Sequence, residues 1–125
     1  MKPQPLFTEI AFVMYPVKDV AASRRFYEEV LNLTVTANWE DKWVEYDIGP
    51  CTLAIVGADE QHQPGRHGPC VGLEVVDFDA VLELLKARNV SIPSASFDTP
   101  VCRGCIIRDP DGNELLIHQR KAAKA

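Results

Sequence analysis

Tyr15-Pro16-Val17-Lys18-Asp19, followed by Phe26-Tyr27-Glu28-Glu29-Val30-Leu31-Asn32-Leu33, is a strand handing over to a helix. Glu9 to Val17 is dense in β-formers and aromatic residues, which reads as a buried strand. Asp19 offers a carboxylate at the helix N-cap, and the apolar residues of Val20 to Leu31 fall at 22, 26, 27, 30 and 31, which is helical spacing. Asn32 stops the helix, because asparagine tolerates the left-handed conformation. Three strand-like runs follow: Thr34 to Asn38, Lys42 to Ile48 and Thr52 to Val56. Glu40-Asp41 and Gly49-Pro50 separate them as turns. The order is β-α-β-β-β.

Further along, the same order begins again. Cys70 to Val76 reads as a strand, Asp77 or Asp79 caps a helix with apolar residues at 80, 81, 84, 85 and 87, and Asn89 closes it. Ile92 to Ser96 is a weak strand and Val101 to Arg108 a stronger one. Asp109-Pro110-Asp111-Gly112-Asn113 is a turn by composition, and Glu114 to Gln119 is the last strand. Asp19 and Asp77 lie 58 positions apart, so the chain is duplicated in shape. The expected architecture is one α+β domain, 1–125. It has a first β-α-β-β-β module at about 8–57, a Gly- and Pro-rich linker at 58–69 and a second module at about 70–120. One such unit cannot close a core alone. Two side by side form a curved mixed sheet whose concave face lines a ligand cup.

Composition narrows the partners. The chain has 125 residues, 13 Lys+Arg against 18 Asp+Glu and a net charge of −5. That is one globular domain without the concentrated basic face that nucleic acid requires. Arg120 and Lys121 with Lys124 make only a short solvated tail. No apolar run approaches the roughly 20 residues that span a bilayer, and no signal peptide is visible, so a cytoplasmic location is expected. Four cysteines, at 51, 70, 102 and 105, are read as reduced thiols.

The opening stretch resembles the "V-x-D…F-Y-x-x-V-L-G-L" start of the vicinal oxygen chelate superfamily, which includes glyoxalase I, bleomycin-resistance proteins and extradiol dioxygenases. Leu73-Glu74-Val75-Val76-Asp77-Phe78-Asp79 is similar to its mid-chain strand-to-helix entry, and Asp109-Pro110-Asp111-Gly112-Asn113 to its late motif. The resemblance runs over residues 8–120, with Asn32 standing where the opening usually has Gly. It implies a homodimer and, in metal-dependent relatives, His, Glu or Gln at four inward strand positions, where the ion acts as a Lewis acid.

Alternation along the strands turns Ile10, Phe12 and Met14 into the cup and Val13, Tyr15 and Val17 toward the helix. The four positions then read Phe12, Ala54, Cys70 and Leu116, a set that cannot bind a metal, and shifting the register by one does not recover one. No cofactor is expected, and a divalent metal is not expected either. Trp39 and Trp43, with Tyr46 close by, read as aromatic walls near the mouth of the cup or equally as core packing or a dimer contact. Glu45 and Glu74 read as cup carboxylates or as edge residues in water, and Glu114 as flanking Leu116 on the cup face. His118 reads either as an acid/base group working with Glu74 or as a strand-end histidine satisfied by water or backbone. Cys102 reads as a strand cysteine or as a thiol activated by Arg103. Cys102-Arg103-Gly104-Cys105 puts its two thiols on opposite strand faces, where they cannot share an ion. His62 and His67 fall in the linker as solvated residues. Two functions are therefore expected. One is a metal-independent binding protein for a small organic molecule, and the other a glyoxalase-like lyase or isomerase acting on a small oxygenated or thiol-conjugated substrate.

Overall fold

The computed structural model describes residues 6–7 and 9–121. Thr8, Lys124 and residues 1–5, which entered the sequence reading, lie outside the described residues. β1 (Val13–Val17) leads into α1 (Val20–Arg25), a π-helical turn (Phe26–Val30), β2 (Val35–Trp39), β3 (Trp43–Ile48) and β4 (Cys51–Gly57). After the linker come β5 (Val71–Glu74), α2 (Phe78–Ala87), β6 (Phe97–Asp98), β7 (Cys102–Arg108) and β8 (Glu114–Arg120). The strands form two four-stranded mixed sheets, ordered β1-β4-β3-β2 and β5-β8-β7-β6. In each, the first strand pairs parallel with the last, Met14 facing Ala54 and Gly72 facing Leu116, and the remaining pairs are antiparallel. Among the described residues no helix is long and apolar enough to cross a membrane.

Local chemistry sets the helix ends. Asp19 and Asp77 accept backbone N–H bonds from Ala22 and Ala80, so each cap satisfies a donor that the helix cannot. Asn32 and Asn89 adopt φ of 59° and 60° and end the helices in the left-handed region. The first helix is not uniform over 20–31 as its spacing suggests. From Phe26 it widens into the π-helical turn, and Leu31 N–H reaches back five residues to Phe26 C=O. That widening accompanies the burial of the neighbouring rings Phe26 and Tyr27 together.

Every second strand residue feeds one core. Tyr15, Val17, Val44, Tyr46, Leu53 and Ile55 come from the first sheet. Cys105, Ile107, Leu115 and Ile117 come from the second, and Tyr27, Phe78 and Leu85 from the helical segments. The late turn holds the two modules together. Tyr27 hydroxyl donates to Asp109 at 2.8 Å, Asn113 Nδ2 donates to Pro16 C=O at 2.8 Å, and Lys18 N–H donates to Asp111 at 3.1 Å. Tyr15 adds a second clasp, its hydroxyl donating to Glu114 C=O and accepting from Val71 N–H. Burial pushes that phenol up to about 12.

Three sequence expectations are corrected here. The first strand begins at Val13, and residues 9–12 lie outside it with Ile10 67% exposed. The register accounts for residues 9 and 10: Val13 sits opposite Leu53 and β4 begins at Cys51, after the Gly49-Pro50 turn, so they have no partner in β4. Ile92 to Ser96 is not a strand. Ser91 makes a single bridge to Arg108, Pro93 has no N–H to donate, and the short β6 falls at Phe97–Asp98 instead. Val76, read as the end of a strand, lies beyond β5 and is fully exposed.

Candidate functional site

Strand alternation leaves a second face on each sheet, turned away from the core. On the first sheet this face carries Met14, Ala37, Trp39, Trp43 and Glu45, with Ala54 between Met14 and Glu45 in register. Phe12, just ahead of β1, packs edge-on against Trp43 with ring centroids 5.2 Å apart, and Trp43 Nε1–H donates to Glu45 at 2.8 Å. The structure thus joins Phe12, Trp43 and Glu45 into one amphipathic corner, 46% of Phe12 remaining exposed. Met14 is half-buried beside it, but Ala54 is fully buried and has no surface to offer a ligand. Tyr46, expected near the tryptophans at the cup, points into the core instead. It stacks on Tyr27 and donates to Glu28, which Arg24 in turn holds below its ordinary pKa.

On the second sheet the open face is built by register. Glu74, His118, Gly104 and Phe97 face one another in a row crossing all four strands, and Gly72, Leu116 and Ile106 form the row beside it. His118 Nδ1 lies 2.6 Å from one Glu74 oxygen, and Arg120 N–H donates to the other at 2.7 Å. The two side chains are 26% and 40% exposed, so the pair is open to a ligand. With Nδ1–H directed at Glu74, the imidazole is oriented by a carboxylate and Nε2 is left for an incoming group. That arrangement can accept a hydrogen bond or take a proton.

The histidine contact, with the Arg120 N–H second, holds the Glu74 carboxyl below its ordinary value. A carboxyl depressed by folding contributes stability above its unfolded pKa, near 4.3, and loses it as pH falls through the folded value. A carbon-detected titration of Glu74 should therefore give a midpoint below about 4.3, and His118→Ala should move it back toward that value. A midpoint that ignores the substitution would show that the pair does not form.

The other expected site residues lie in different surroundings. Leu116 is half-buried on the open face, and Glu114 is engaged with Arg108 at 3.0 Å, a partner the sequence reading did not supply. Cys70 is exposed just before β5, its thiol pushed up by partial burial and by the charge of Glu114. Cys102 lies 3.4 Å from the Thr99 hydroxyl. Its expected activator is elsewhere: Arg103 crosses to the opposite face, pairs with Asp79 at 2.8 Å and covers the Phe78 ring. Cys105 is buried, on the face away from Cys102. In the linker, His62 pairs with its neighbour Asp59.

The donor chemistry does not fit the divalent ion of metal-dependent relatives. Phe12, Ala54, Cys70 and Leu116 supply one thiol between them, and among the described residues no three His, Cys, Asp or Glu side chains are grouped to hold an ion. Sequence reasoning missed Phe97, and one signal pointed to it. A glycine inside a strand pattern marks a close approach, and Gly104 is where the Phe97 ring lies.

A family model described as the Glyoxalase/Bleomycin resistance protein/Dioxygenase superfamily matches residues 9–117. No curated protein sequence matches the chain. Among solved structures it is similar to TnmS3, an antibiotic binding protein from Streptomyces sp. CB03234. That likeness has 22% identity, a TM-score of 0.81, and covers 94% of this chain and all of the other. A glyoxalase/bleomycin resistance protein from the same organism is 25% identical, with a TM-score of 0.74 over 89% of this chain and all of its own. Lactoylglutathione lyase from Agrobacterium tumefaciens is 21% identical, with a TM-score of 0.71 over 90% and 93%.

Proposed function

Because this chain belongs to the glyoxalase/bleomycin resistance protein/dioxygenase superfamily, we propose that it is a metal-independent binding protein for a small organic molecule. The observation that carries the reading is the chemistry of the two open faces. An aromatic corner of Phe12, Trp43 and Glu45 lies on one sheet. Leu116 and the His118–Glu74 pair lie on the other, where no set of metal donors gathers among the described residues. Aromatic walls with a few placed polar groups are what ligand sites are made of. A neighbour in fold carrying the description of an antibiotic binding protein agrees with that class.

The proposal includes a homodimer, supported by apolar groups left in solvent at Trp39 and Val101, 56% and 69% exposed. It includes a cytoplasmic location, supported by four free cysteines. Elemental analysis with native mass spectrometry of the purified protein tests it. We expect less than stoichiometric metal and, where a ligand is retained, a bound organic mass. Stoichiometric metal would overturn the reading.

The contact of 2.6 Å between His118 and Glu74 favours a second reading, proton transfer by an oriented imidazole in a lyase or isomerase. Isomerisation of the hemithioacetal of methylglyoxal and glutathione, abolished by His118→Gln, would support it over simple binding.

A further inference from the structure

The row Glu74–His118–Gly104–Phe97 contains one residue without a side chain, and the space it leaves is filled. A methyl on Gly104 would lie 2.5 and 2.8 Å from atoms of the Phe97 ring. The ring therefore leans over Gly104 toward the His118 strand instead of standing clear of the sheet. Neighbouring strands are about 4.8 Å apart, which puts the ring one strand from the imidazole. The adjoining row is Gly72, Leu116 and Ile106, and a Cβ on Gly72 would meet nothing within 4 Å. Open space at Gly72 thus lies beside a hydrogen-bonding imidazole, and in the imidazole's own row, one strand further on, stands an aromatic wall that stays 36% exposed.

We propose that Phe97 is the specificity-determining wall of the His118–Glu74 site, selecting planar aromatic ligands that carry a hydroxyl. This rests on the binding reading above and names its ligand class. The hydroxyl donates to His118 Nε2, whose ring Glu74 orients from the other side. The ligand plane lies along Gly72 and Leu116, and its edge or face meets the Phe97 ring. A saturated ligand of equal size keeps the hydroxyl contact and loses the ring contact.

Calorimetric titration with 2-naphthol and decahydro-2-naphthol tests the assignment. Aromatic pairs contribute about 0.5–1.5 kcal/mol beyond area, so the wild type should favour the planar alcohol by up to about tenfold. Phe97→Ala should reduce that ratio to threefold or less. The phenol is also the more acidic hydroxyl, but that difference acts at His118 and survives in the variant, so the change in ratio isolates the wall. Phe97 lies on a two-residue edge strand, and a circular-dichroism melt verifies that the variant folds. Equal binding or no binding of both alcohols by the wild type, or a full planar preference in Phe97→Ala, would overturn the assignment. His118→Ala should weaken both alcohols, the more acidic naphthol somewhat more, and keep the part of the preference that the Phe97 ring supplies. Affinities unchanged in that variant would overturn the site reading itself.

Discussion

Asp109→Ala should cost about 3–5 kcal/mol and lower Tm by roughly 10 °C or more, with folding otherwise cooperative. Its carboxylate accepts four hydrogen bonds. Oδ1 takes the N–H groups of Asp111 and Asn113, both at 2.9 Å, and Oδ2 takes the Tyr27 hydroxyl at 2.8 Å and Asn113 Nδ2 at 2.9 Å. The two N–H groups belong to a turn that water can reach in part. The Tyr27 hydroxyl cannot be rehydrated, because the residue is wholly buried in the core. Losing its acceptor leaves a dry donor, which costs more than the bond itself contributes. Burial, first, and the neighbouring Asp109 charge already push the Tyr27 phenol far above its ordinary pKa, so it cannot escape by ionising.

A double-mutant cycle separates that cost from the rest of the turn. Tyr27→Phe alone should cost about 1–2 kcal/mol, and in the Asp109→Ala background nearly nothing, because the orphan hydroxyl is gone. Urea unfolding at unchanged m supplies the free energies. A loss under about 1 kcal/mol for Asp109→Ala, or strict additivity in the cycle, would show that the Tyr27–Asp109 bond does not hold the modules together.

What the sequence could say about this fold depended on distance along the chain. The caps Asp19 and Asp77 act on residues three positions away, so their chemistry is local and legible. The turn at 109–113 was legible as a turn, but its role as a clasp was not, since Tyr27 is 82 positions from Asp109. Alternation named His118, Glu74 and Leu116 as neighbours on one face, and strand register then paired them. The same rule separates Trp43 from Tyr46, because an offset of three residues changes face. Grouping those two by proximity in sequence was the error. Arg103 shows the opposite limit. Its neighbour in sequence, Cys102, faces away, and its true partner Asp79 arrives from the start of α2. Phe97 escaped because the segment around it is polar and exposed and forms only two strand residues.

Gly104 decides whether the second sheet can carry its site. A glycine inside a strand ordinarily weakens it, so where space is open Gly→Ala stabilises by about 0.5–1 kcal/mol. Here the sign should reverse. The added methyl would meet the Phe97 ring at 2.5 Å and Ile117 C=O at 2.7 Å, and the second of these is backbone in the neighbouring strand. Gly104→Ala should therefore destabilise by about 1–3 kcal/mol, and Gly104→Val by roughly 3 kcal/mol or more, as overpacked cores do. The ring can swing into solvent, but the carbonyl can move only with β8, the strand that carries His118. Relief should accordingly be partial. In a Phe97→Ala background the cost of Gly104→Ala should fall without vanishing, since the carbonyl contact remains. Denaturant unfolding of the four proteins in that cycle measures it. A neutral or stabilising Gly104→Ala would mean that the ring does not rest on the strand, and a cost unchanged by removing the ring would place all of the strain at the carbonyl. The substitution should also disturb the His118–Glu74 pair, moving the Glu74 titration toward about 4.3, because a displaced β8 carries the imidazole with it.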